Sequence, residues 1–102
     1  MRLVMAVVRP AQLEAVRQAL AAVHVTRLTV CDAQHHGSAG VAQEAVMEIA
    51  VNDDFLDRTV DTLANALRIG DPAATTPSHR LFVLPMQEAV QLYRDVRGPE
   101  AL

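Results

Sequence analysis

Three short runs in this chain are apolar on both faces of any strand they form. Residues 3–8 set Leu3, Met5 and Val7 on one side and Val4, Ala6 and Val8 on the other, residues 46–51 are apolar except at Glu48, and residues 80–84 read "RLFVL". A strand with one wet face alternates apolar with polar, so these strands need cover on both sides. Whatever sheet they build has no face to give to water.

Between the runs lie two helical patterns. In "PAQLEAVRQALAAV", Pro10 suits a first helical turn, and Leu13, Val16, Leu20 and Val23 recur at helical spacing as one apolar stripe. Leu56, Val60, Leu63 and Leu67 carry a second stripe, with Asn52 and Asp53 as N-cap candidates and Gly70 as a stop. A further strand is predicted over residues 25–33, and "DPAATTPSH" is a loop by its breaker residues. The tail after residue 85 suits a short strand or a helical turn.

The order is therefore β-α-β-β-α-β, and Leu13, Val16 and Leu20 fall 43 positions before Leu56, Thr59 and Leu63, a weak internal repeat. This predicts an α+β, ferredoxin-like βαββαβ sandwich in one domain over residues 1–102. Right-handed crossovers put both helices on one side of the sheet, so they cover one face only. The other needs a second copy of the chain, and a homo-oligomer is expected.

Composition narrows the function. Lys+Arg number 9 against Asp+Glu 12, net −3, with the cations scattered, so no basic stripe exists to follow a nucleic acid. The single cysteine excludes an intrachain disulfide, and no apolar run approaches a membrane span. The N-terminal run is too short for a signal-peptide core, which makes the cytoplasm the expected location. There is no phosphate-loop signature, nucleophile elbow or carboxylate pair with an obvious cleft, Asp53 and Asp54 reading as helix-start residues, so no enzyme is predicted.

The segment "TVCDAQHHGSAG", residues 29–40, stands out. Cys31, His35 and His36 are a conceivable metal set, with Asp32 or His79 as a fourth ligand, since thiolate and imidazole suit zinc, copper or nickel. Against it, adjacent histidines on an extended chain point apart, and Cys31 reads more simply as a small buried apolar residue. A nucleotide-contacting loop and a solvent-exposed turn are the other two readings. His24 reads as a helix-end residue meeting terminal carbonyls.

The opening "MRLVMAVVRPAQLEAVRQAL" resembles that of PII signalling proteins, and "VTRLTV", "MEIAVNDDFLDRTVDTL" and "RLFVLPMQEAVQLYRDVRGPEAL" follow in the matching order. The resemblance spans nearly the whole chain outside two loops. It implies a homotrimer whose sheets line a central barrel, with an adenine nucleotide bound between subunits and no chemistry of its own. By position it implies Thr29 and Glu48 near the adenine, Gly37 near the phosphates, and Arg80 in place of a phosphate-binding lysine. His35, His36 and Ser38 join these as loop contacts, and Arg94 and Arg97 as substitutes for tail arginines, because the usual positions read Gln91 and Tyr93.

The target-binding loop after the second strand is short, little more than residues 38–45, and lacks the modifiable tyrosine, the only tyrosine being Tyr93. A triphosphate wants several fixed donors. The pattern thus implies AMP or ADP in preference to ATP as effector, with no required cofactor and bicarbonate as a candidate second ligand. A nucleotide that orders residues 34–45 would then control a partner, a membrane transporter for inorganic carbon or ammonium or another cytoplasmic protein. The alternatives are a metal-responsive PII-like or CutA-like trimer using His35 and His36, and a structural trimer with a vestigial nucleotide site.

Overall fold

A computed structural model describes residues 1–69 and 80–102. Strand β1, Arg2–Val8, leads through a 3₁₀ turn at Pro10–Gln12 into α1, Leu13–Ala22. β2, Thr29–Gly37, and β3, Gly40–Val51, precede α2, Asp53–Ile69, and β4, Arg80–Pro85. The tail forms a two-residue-a-side ladder of β5, Val90–Gln91, and β6, Val96–Arg97, then a 3₁₀ turn at Gly98–Ala101. The main sheet is antiparallel in the order β2-β3-β1-β4, the split βαβ arrangement expected of a ferredoxin-like sandwich. Gly70, the "DPAATTPSH" loop and His79 lie outside the described residues.

Both helices pack on one face of the sheet. Val4, Ala6 and Val8 of β1 and Ala45, Met47, Ile49 and Val51 of β3 meet Val16 and Leu20 of α1 and Leu63 and Leu67 of α2. Each fully buried aliphatic side chain contributes about 1.5–3 kcal/mol relative to exposure. Thr59, which occupies the place of Val16 in the internal repeat, is also fully buried, and its hydroxyl donates to the Phe55 carbonyl at 2.7 Å. Helical back-bonding thus satisfies the one polar group on that stripe.

The opposite face carries Leu3, Met5 and Val7 flanked by Val46, Glu48 and Ala50 of β3 and by Phe82 and Leu84 of β4. Among the described residues no helix covers it, and Phe82 and Leu84 remain 49% and 39% exposed. Here lies the uncovered apolar surface expected from the two-faced strands.

α1 ends in a Schellman pattern: the Val25 N–H donates to the Leu20 carbonyl at 2.9 Å and the His24 N–H to the Ala21 carbonyl at 3.0 Å. His24 takes the left-handed position, φ +66, where glycine is usual. It meets the terminal carbonyls through its backbone. At the start of α2 the Asn52 carbonyl accepts from Phe55 N–H at 2.9 Å, whereas its side-chain Oδ1 finds no partner among the described residues. Asn52 holds the N-cap position without a side-chain cap, and Asp53 instead pairs with the Met1 ammonium at 3.0 Å.

Candidate functional site: the cleft between the β2–β3 ribbon and the end of β1

β1 stops at Val8, opposite Ala45, but β2 and β3 continue paired with each other from Ala33↔Glu44 to Gly37↔Gly40. Residues 34–45, expected to be a loop, are therefore a hairpin, and β2 starts at Thr29 and runs through both histidines. Cross-strand pairs such as Gln34↔Gln43 and His36↔Val41 extend the ladder beyond the core. Ser38 and Ala39 close it with negative φ, and the reversal of hand falls on Gly40 at φ +118. Glycine is required there because a Cβ disfavours that backbone. Residues 34–45 are thus paired strand on either side of a two-residue turn.

The ribbon, the Arg9–Pro10–Ala11 corner and Arg80 enclose a cleft of about 690 Å³. His35, Gly37, Ser38 and Arg80 are among the residues that line it. A Cβ at Gly37 would approach His35 Nε2 to 3.2 Å, so the bare backbone gives the imidazole its seat. Arg80 opens β4 opposite Val7 and reaches past the end of β1 to Glu44, Nη2 to Oε2 3.4 Å. Glu44 is only 6% exposed. Sequence reasoning missed it, although its even spacing from Val46 and Glu48 puts it on the same sheet face.

Other predicted residues stand elsewhere. Thr29 and Glu48 are direct cross-strand partners on the uncovered face, in the row of Met5 and Phe82. At about 3.3 Å per residue, Thr29 lies roughly 20 Å down the strand from His35, beyond the span of one small ligand held by a single chain. His36 faces away from His35 across the ribbon, opposite Val41. Arg97 pairs with Glu88 and Arg94 is exposed, both in the tail. That tail is held at the far end of the sheet, where the Met86 N–H donates to the Met1 carbonyl and Arg27 Nη1 donates to Leu102 O at 2.7 Å. A smaller cavity of about 250 Å³ lies at that end, lined by His24, Arg27, Asn52 and Phe55 among others.

The metal set does not assemble. His35 and His36 alternate across the ladder, Cys31 lies four positions before His35, and no group of three His, Cys, Asp or Glu among the described residues could hold an ion. Cys31 is exposed rather than buried, because β2 is the outer strand and Cys31 faces the side without helices. Among the described residues no helix is long and apolar enough to cross a membrane.

The family model described as nitrogen regulatory protein P-II matches residues 1–96. The chain belongs to the P-II family. Nitrogen regulatory protein GlnK1 of Methanosarcina mazei is 30% identical over 116 aligned positions, which take in all of this chain and 97% of the relative. Nitrogen regulatory protein P-II of Rhizobium etli is 27% identical over the whole of both chains. Among solved structures, Arabidopsis thaliana PII bound to citrate superposes with a TM-score of 0.86 at 27% identity, covering 99% of this chain and 91% of that one. P-II proteins are regulatory signal transducers, and the fold and the family agree with the reading of the sequence.

Proposed function

We propose that this P-II chain acts as a homotrimeric sensor of an adenine nucleotide, AMP or ADP in preference to ATP, and passes its state to a partner through the β2–β3 ribbon. The division of the candidate contacts carries this reading. His35, Gly37 and Ser38 line the cleft at the ribbon end of β2, roughly 20 Å or more along that strand from Thr29, whereas Arg80 of β4 stands between, about 7 Å along the sheet from the Thr29–Glu48 row. Ribbon residues and a Thr29 so far apart in one chain become one site when a neighbouring copy brings its Thr29–Glu48 row to this cleft. The uncovered face with Phe82 and Leu84 supports such an assembly, its apolar surface serving as lining for a central barrel. Arg94 and Arg97 in the tail would reach the ligand only across that interface.

The partner in this reading is a transporter at its cytoplasmic face, for inorganic carbon or ammonium, with bicarbonate as a second ligand in the carbon case. The two-residue turn limits reach and favours a shallow docking surface. Because the ribbon is already paired, the nucleotide acts by changing how it sits against Arg9 and Arg80, which requires different affinities for the two seats. Light scattering should give three times the chain mass, and calorimetry with AMP, ADP, ATP and cyclic AMP should give saturable heat with at least one. A stable monomer at micromolar concentration, or no heat with any nucleotide, defeats the proposal.

A further inference from the structure

Glu44 is a carboxylate inside a cleft also lined by Arg9, Arg80 and the imidazole of His35. It sits at a ladder position opposite Ala33, so its backbone is fixed and its side chain is 6% exposed. Its contact with Arg80, at 3.4 Å, is longer than the roughly 2.7–2.9 Å of a tight charge-assisted hydrogen bond. Arg80 keeps 44% of its side-chain surface accessible. An anion that approaches this guanidinium therefore meets a like charge beside it, in a walled setting where salt screens poorly. Glu44 lies beyond the end of β1 and outside the hydrophobic core.

We propose that Glu44 sets the charge of the ligand that this cleft accepts: Arg80 takes one phosphate group, and Glu44 turns away the second and third. The choice of ligand rests on the nucleotide reading above, but the electrostatic role belongs to the cleft itself. Glu44 acts as an internal competitor for Arg80, so a compact anion of low charge binds without displacing it, while a polyphosphate must crowd the buried carboxylate. Like-charge juxtaposition of this kind is strongly unfavourable at binding surfaces.

The test compares the full-length chain with Glu44→Gln and Glu44→Thr, two neutral replacements, the second a strand former. Circular dichroism and light scattering select a variant with unchanged fold and mass. Titration calorimetry then uses AMP and ATP, and in parallel inorganic phosphate and tripolyphosphate, which need no adenine site. The expected result is a rise of about tenfold or more in the affinity ratio of ATP to AMP, and of tripolyphosphate to phosphate, on removing the charge. If the nucleotides give no heat but the tripolyphosphate ratio still rises, the sensor reading fails and the role of Glu44 stands. Unchanged ratios in a folded variant, or no binding of any of the four anions to either protein, overturn the assignment.

Discussion

β3 is one strand with two environments. From Ala45 to Val51 it has β1 beside it, and Ala45, Met47, Ile49 and Val51 point into the core between sheet and helices. From Gly40 to Glu44 it pairs with β2 alone, and Val41 is 60% exposed. The β2–β3 ladder crosses from one half into the other; what ends at Ala45 is the ladder to β1 and, with it, the apolar burial behind the strand. Burial makes the first half a foundation, and its absence makes the second half a surface free to carry cleft residues.

The largest effect should come from the buried half. Met47→Ala is expected to lower stability by about 2–5 kcal/mol in urea unfolding, because a fully enclosed side chain is removed where helices and sheet hold their positions. A loss below 1 kcal/mol would show that the core collapses around the gap and that the two halves are less distinct than their burial suggests.

Gly40→Ala should cost less, about 1–2 kcal/mol, through strain at φ +118. Hydrogen exchange should speed up for ribbon amides at residues 33–44, while core amides of β1 keep their relative protection. Uniform acceleration across the sheet would mean that ribbon and core open together. Gly37→Ala is milder still: its Cβ would shift the His35 ring by a few tenths of an ångström, visible as a displaced imidazole NMR signal with a change in stability under about 1 kcal/mol.

The smallest effect lies on α1, away from both halves. Arg17 Nε donates to Glu14 at 3.0 Å and holds the carboxyl below its ordinary 4.5. A lowered folded value means stability that is present above the unfolded value and lost as pH falls through the folded one. Both groups are exposed, so the Glu14→Gln difference should be barely measurable at neutral pH and should vanish in acid. A difference that grows in acid would contradict this pairing.

Much of this was legible in the chain. The doubly apolar runs fixed strands β1, β3 and β4, and the stripes at Leu13–Leu20 and Leu56–Leu67 gave both helices. What misled was the stretch from Gln34 to Ala45, where histidines, glycines and small residues read as a loop. No single residue there has a strong preference for a strand; its conformation comes from pairing with the opposite arm, a non-local effect. Glu44 escaped notice for the same reason, since its environment depends on Arg80, 36 residues later.

The alternation along the ribbon also gives the paired histidines a different meaning. A slip of β2 by one residue against β3 exchanges the faces of every side chain it carries. His35 would turn outward and its neighbour His36 inward, so an imidazole would still stand at the cleft. Two adjacent copies of one side chain thus present an imidazole to the cleft face in either register of the ladder.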